Sequence, residues 1–119
     1  MTRKLTPAQL DEIEATAKEA TPGPWKAEQI RGSWGALWTA YHRRWLGDLP
    51  SFEDAEHIAM MDPAATLALV ADVRELRAKV ERVRELHREN AYPDRPVSRC
   101  RDCDDVWPCE TARALGEEA

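Results

Sequence analysis

The chain has 119 residues, a formal net charge of −5 and 33% charged residues, which suits one small domain and disfavours nonspecific nucleic-acid binding, because that requires a basic face. Its best apolar stretch, residues 58–71, is interrupted by Asp62-Pro63 and is too short to span a bilayer. Without an apolar leader, the composition predicts a cytoplasmic protein that has no membrane partner and is not expected to bind nucleic acid.

The first predicted element is an amphipathic helix over residues 7–20. Thr6 is placed to cap it, Gln9 completes a capping box, and Pro7 suits the first helical position. The apolar positions form one stripe, made by Leu5, Leu10, Ile13, Ala17 and Ala20. The Thr-Pro-Gly-Pro run at residues 21–24 ends the helix, because proline cannot continue it.

Residues 25–49 hold four of the five tryptophans and predict a small antiparallel hairpin or meander. Residues 34–41 alternate with the period of a strand, residues 25–30 form the expected partner, and residues 44–46 a short third strand. So small a sheet needs a helix against one face. We expect the tryptophans to supply most of the aromatic core; the alternative is that they stack on bases or form a ligand cage.

A long helical region follows the sheet. Ser51 and Asp54 predict one helix start, Asp62-Pro63 predicts a second, and the pattern continues to about residue 90. Apolar residues then recur at alternating spacings of three and four, as in a heptad repeat. This seam consists of Leu69, Val73, Leu76, Val80 and Val83, and His87 takes the next position. Because the stripe is narrow, it suits a second copy of itself better than a sheet. The seam predicts a homodimer or higher homo-oligomer.

The three cysteines, Cys100, Cys103 and Cys109, all lie within ten residues of the tail. Solvated residues surround them, so burial in a core does not explain the clustering. A C-x-x-C places two thiolates on one turn, and the third cysteine with His87 completes a Cys3His set for Zn²⁺. An ion with four protein ligands has no open position for water. The predicted site is therefore structural and serves to fold residues 93–115.

Other interpretations of the tail remain open. The thiols can be unligated or redox-active, or two of them can form a disulfide, although an odd number argues against a closed disulfide framework. The fourth ligand can also be Asp102, Asp104, Glu110 or a residue of another subunit. Thr111 is predicted to cap a short helix over residues 112–115. The arrangement resembles half of a zinc ribbon or treble clef, a zinc-knuckle-like tail.

These elements together predict an α+β fold in three segments. The first, residues 1–62, contains the amino-terminal helix and the tryptophan-rich sheet. The second, residues 63–92, is the long helix with its short coiled-coil seam for oligomerisation. The third, residues 93–119, is the zinc-binding tail.

Catalysis is not predicted. The histidines His42, His57 and His87 lie in three different elements, and no serine or cysteine stands in a recognisable nucleophile motif. The few glycines form no phosphate-binding loop. We therefore expect a binding protein and not an enzyme.

Three segments resemble small accessory proteins of temperate actinobacterial phages and prophages, some of them labelled ead-like. The segments are Ala20–Trp25 (Ala-Thr-Pro-Gly-Pro-Trp), Asp54–Ala59 (Asp-Ala-Glu-His-Ile-Ala) and the tail Cys100–Leu115 with its Trp-Pro-Cys-x-Thr motif. The resemblance implies an origin in phage early regions. It also implies a task in the host cytoplasm, the binding of a host protein or defence component.

Two other functions stay open. One is an oligomeric protein that sequesters a small ligand, such as a nucleotide signal, near Trp38, Tyr41, Arg43 and Arg44. The other is a zinc-dependent nucleic-acid binder, which the net charge disfavours.

Overall fold

The computed structural model describes residues 4–30 and 34–117. It confirms the α+β class, with an antiparallel sheet and four helices in the described ranges. The chain forms two compact units, Met1–Asp72 and Val73–Ala119, while the division into three segments stays a prediction. None of the helices in the described ranges combines the length and the apolarity needed to cross a membrane.

The first unit contains one helix, a three-stranded sheet, a second helix and the start of a third. Helix α1 spans Pro7–Glu19, and the strands are β1 (Trp25–Glu28), β2 (Gly35–Thr39) and β3 (Arg44–Leu49), with a 3-10 turn at Tyr41–Arg43. Helices α2 (Phe52–Met60) and α3 (Pro63–Leu86) follow. The strand order β1-β2-β3 is the predicted antiparallel meander.

The starts of α1 and α2 confirm the capping predictions made for them. Thr6 Oγ1 accepts a hydrogen bond from the Gln9 N–H at 3.1 Å, and the Gln9 side chain accepts one from the Thr6 N–H at 2.9 Å. Ser51 Oγ accepts from the Asp54 N–H at 3.1 Å. Each bond joins residues three apart, so neighbouring residues alone determine it.

The Thr-Pro-Gly-Pro-Trp run forms a corner held by Asp62 and Thr39. Asp62 Oδ1 caps α3 by accepting from the Ala65 N–H at 3.0 Å, and its Oδ2 accepts from the Trp25 N–H at 3.3 Å. Thr39 is fully buried, and its hydroxyl donates to the Pro22 carbonyl at 2.6 Å. The motif therefore has a structural role, since it joins β1 and β2 to the start of α3.

Helix α2 packs against the sheet, as a sheet of this size requires. Gly35 permits this packing, because a Cβ there would lie 2.8 Å from the Ser51 carbonyl carbon. Trp25 and Ala27 are half-buried while Lys26 is exposed, so the face that carries Trp25 is the covered one. On the other face Lys26 and Glu28 are exposed, whereas their β2 partners Trp38 and Ala36 are half-buried and buried.

The expected aromatic core is only partly present. Trp34 is 78% exposed and Trp45 is 65% exposed, so the prediction is wrong for these two. The buried apolar residues of this unit are mostly small aliphatics, namely Leu10, Ala17, Ala36, Leu37, Ala55 and Val70. Small residues thus make up most of the buried part of this unit, and two tryptophans lie outside it.

The second unit consists of the end of α3, two short strands and a short helix. The strands β4 (Glu89–Asn90) and β5 (Arg99–Cys100) pair antiparallel, and α4 spans Glu110–Ala114. Helix α3 ends at Leu86, before the predicted residue 90. The chain leaves the helix because the following residues pair with the tail, as the bond from the Arg101 N–H to the Arg88 carbonyl shows at 2.8 Å.

The seam residues lie on α3. Leu69, Leu76, Val80 and Val83 are exposed, Leu76 by 60%, and Val73 is half-buried. Such an apolar row on a single chain is compatible with the predicted oligomer. Oligomerisation itself stays a prediction.

Replacement of Asp62 tests the corner. Asp62→Ala removes two acceptors, one of them a helix cap, and should lower the free energy of unfolding by about 2 kcal/mol. Asp62→Asn keeps one side-chain oxygen for the cap and should cost less. Denaturant unfolding followed by tryptophan fluorescence measures both values, and equal stability of the alanine variant and the wild type would contradict this role.

Candidate metal centre

The four predicted zinc ligands converge in the second unit. One ring nitrogen of His87 and the sulfurs of Cys100, Cys103 and Cys109 all lie within 4.8 Å of one another. His87 Nδ1 is 3.4 Å from Cys100 Sγ and 3.6 Å from Cys109 Sγ. Tetrahedral zinc with bonds of about 2.0–2.3 Å separates its ligand atoms by roughly 3.5–3.8 Å. The cluster therefore has the size of a four-coordinate metal site.

The turn after Cys100 brings the second sulfur to the site. The Cys100 carbonyl accepts from the Asp104 N–H at 3.1 Å, and the Cys100 N–H donates to the Asp105 carbonyl at 2.7 Å. Asp104 has a left-handed backbone (φ 59°), a conformation that aspartate tolerates better than most residues. This reversal places Cys103 beside Cys100 as the C-x-x-C spacing predicts.

The thiols of the C-x-x-C differ in their acidity. Burial raises the pKa of the Cys100 thiol, but hydrogen bonds from the backbone of Cys103 and Asp102 and from the Cys103 and Cys109 side chains outweigh it and lower that pKa to about 6. The Asp105 backbone lowers the pKa of Cys103, whereas desolvation and the neighbouring cysteines raise it, and the net value is about 11. A thiolate at Cys100 thus disfavours the loss of the proton from Cys103, and a bound divalent cation would remove this repulsion between two negative sulfurs.

Cys109 has two roles. It is the N-cap of α4, where its sulfur accepts from the Ala112 N–H at 3.4 Å. The prediction that Thr111 caps this helix is wrong, because the helix begins at Glu110 and Thr111 lies inside it. The cap thus fixes the position of the Cys109 sulfur, which also belongs to the cluster of four.

Asp102 lies against the other nitrogen of His87. His87 Nε2 is 3.5 Å from Asp102 Oδ2, while Nδ1 faces the cysteine sulfurs. A carboxylate at this position holds the ring in the tautomer whose Nδ1 carries a lone pair. Asp102 therefore orients His87, and neither Asp104 nor Glu110 belongs to the cluster.

Two further side chains support the centre and were not predicted from the sequence. Trp107 packs against Cys100, Cys109 and Ala112, the only group of buried residues found in the described part of this unit. Arg84 Nη2 donates to the Leu115 carbonyl at the end of α4, at 3.2 Å. The Trp-Pro-Cys sequence could have indicated the contact of Trp107, because it places the indole close to Cys109. Arg84 is one of many charged residues on its helix, so the sequence does not indicate its bond to Leu115.

The predicted ligand-binding residues lie in the first unit, around one hairpin. Trp38 is on β2, Tyr41 and Arg43 are in the 3-10 turn, and Arg44 begins β3. All except the half-buried Trp38 are exposed. Their role in binding a small ligand stays a prediction.

Comparison with known proteins gives one match. The model of a family described as "Family of unknown function (DUF6221)" matches residues 6–116. No curated protein and no solved structure matches the chain.

The contact between Asp102 and His87 predicts different effects for two substitutions. His87→Ala removes a ligand atom, whereas Asp102→Asn leaves all four and only loosens the ring, which should weaken the binding of metal by about 10–100-fold. Competition with a chromophoric chelator measures both affinities. An Asp102→Asn variant as weak as His87→Ala would identify Asp102 as a ligand, and one with wild-type affinity would remove its orienting role.

Proposed function

Because the chain belongs to DUF6221, whose description assigns no activity, we propose a function from the site: His87, Cys100, Cys103 and Cys109 hold one structural Zn²⁺ in a non-enzymatic binding protein. The convergence of these four ligand atoms within 4.8 Å carries the proposal. Three thiolates and an imidazole in a set of tetrahedral size favour zinc over Ca²⁺ or Mg²⁺, which prefer oxygen ligands.

The composition of the second unit supports a structural role for the metal. Its only group of buried residues in the described chain consists of Cys100, Cys109 and Ala112, with Trp107 against it. Two of these three buried residues are proposed ligands. So little apolar surface does not offset the conformational entropy of an ordered tail, and the binding free energy of zinc supplies the difference.

Loss of one ligand tests the zinc proposal. Purified wild-type protein should contain about one zinc per chain by elemental analysis, and Cys103→Ser should release it and expose residues 93–115 to proteases. The first unit should keep its unfolding transition. Asp104→Gly is the matched control in the same turn, since glycine accepts the left-handed backbone and all four ligands remain. Metal-free wild-type protein with a protected tail would contradict the proposal.

For the biological role, we propose that the protein acts by binding a host protein or defence component in the cytoplasm of a phage-infected actinobacterium. The resemblance of the Thr-Pro-Gly-Pro-Trp and Trp-Pro-Cys segments to phage accessory proteins supports this role. So does a groove of about 680 Å³ in the second unit, since a concave surface with both apolar and charged walls suits a protein partner. Its walls are Ala78, Glu81, Arg82, Glu85, Leu86, Arg101 and Asp102.

Self-association through the seam is the second part of this proposal. Exposed Leu69, Leu76, Val80 and Val83 follow one heptad repeat, and a second copy of α3 would cover them. In this arrangement His87 lies outside the interface between the two copies of α3, because α3 ends at Leu86. His87 therefore remains able to bind the metal.

Charges placed in the seam test self-association. Val73→Glu with Val80→Glu should dissociate the oligomer, because it buries unpaired charges in the interface. Ala71→Glu with Ala78→Glu adds the same charge two residues earlier, on the other side of α3, and should leave the assembly intact. Sedimentation velocity measures the oligomeric state of both double variants. Wild-type protein that is monomeric at tens of micromolar would contradict the proposal.

A further inference from the structure

The face of the sheet that carries Lys26 has a row of one cation and two indole rings, one of them exposed and the other half-buried. Strand register pairs Lys26 with Trp38 and Trp38 with Trp45, and cross-strand partners share a face. Lys26 Nζ lies 5.7 Å from the centre of the Trp38 ring. Trp45 is 65% exposed, although burial of an indole is strongly favourable. We call Lys26, Trp38 and Trp45 the aromatic row.

The turn that joins β2 to β3 adds a second cation. Arg43 is exposed and lies two residues before Trp45, whereas Arg44 pairs with Thr39 and belongs to the other face of the sheet. His42 and Arg43 have φ angles of 55° and 51°, the left-handed region where glycine is normally found. An arginine in this conformation costs backbone energy that a glycine would not. Residues with such strained backbone angles concentrate at functional sites.

We propose that the aromatic row and the turn bind single-stranded nucleic acid, a function separate from the metal centre. Bases stack on the exposed indole of Trp45 and beside the half-buried indole of Trp38, and Lys26 and Arg43 neutralise phosphates of the same strand. Stacking platforms bordered by cations are the general means of binding single strands, because every base presents a π-face. The negative net charge weakens long-range attraction, but Lys26 and Arg43 both lie at the turn end of the sheet.

The layout of the surface favours a single strand over other anionic ligands. The exposed indole of Trp45 offers stacking without enclosure, whereas a free nucleotide is normally held in a concave site. A duplex hides its base faces and offers nothing to Trp45. The acidic residues of this face, Glu28 and Asp48, pair with Ala36, two residues along β2 from Trp38, which confines the strand to the turn end.

Fluorescence anisotropy of a labelled oligothymidylate of about twelve nucleotides, with the zinc-loaded full chain, tests the proposal. Neutralisation of two phosphates predicts a slope of about −1.4 for log K against log salt concentration. Trp45→Ala should weaken binding about tenfold, and Trp45→Phe should retain most of the affinity. Arg43→Gly relieves the left-handed backbone, so it should preserve the melting temperature, weaken binding and reduce the magnitude of the slope by about 0.7.

The controls separate local binding from a general effect of charge. Lys4→Glu with Lys18→Glu makes the protein more acidic on and before α1 and should leave the slope unchanged. Three results would each overturn the proposal: no binding at low salt, equal affinity for duplex DNA, or wild-type affinity in both Trp45→Ala and Arg43→Gly. Competition by thymidine monophosphate at the same concentration as the oligonucleotide would also overturn it and identify a site for free nucleotides.

Discussion

The second unit depends on four ligand atoms that converge in a protein with little else to hold its tail. Three local features of this unit position them: the reversal at Asp104 positions the two sulfurs of the C-x-x-C, the start of α4 positions Cys109, and the end of α3 positions His87. Although the Asp105 backbone lowers the pKa of Cys103, desolvation and the neighbouring cysteines raise it to about 11, so a second negative charge in the cluster is disfavoured. In the proposed zinc centre, the cation offsets this repulsion and holds the unit together.

The first unit is stabilised in another way. Its buried residues are small and aliphatic, and its corner is held by hydrogen bonds from Trp25 and Ala65 to Asp62 and from Thr39 to Pro22. These interactions require no metal. On the zinc proposal, the chain combines a unit that folds by packing and hydrogen bonding with a unit that folds around an ion, and the loss of zinc should affect only the latter.

The sequence predicts those features that neighbouring residues determine. Caps such as Thr6 and Ser51 act over three residues, and the tail cysteines are close along the chain, so both were predictable. The exposure of Trp34 depends on how the core is filled by distant segments, which residue type does not reveal. The orientation of His87 by Asp102 depends likewise on the fold of the tail, as does the end of α3 at Leu86. The error at Thr111 arose because a cysteine took the cap position that hydroxyl residues usually occupy.

X-ray absorption at the zinc edge of the purified protein tests the central claim most directly, because it reports the ligand atoms themselves. The account predicts three sulfurs at about 2.3 Å and one nitrogen at about 2.0 Å from the metal, with no water ligand. The same spectrum of His87→Ala should lose the nitrogen shell of the imidazole and keep the three sulfurs. A wild-type spectrum with two sulfurs, or with a water or carboxylate oxygen in place of the imidazole, would contradict a closed Cys3His centre.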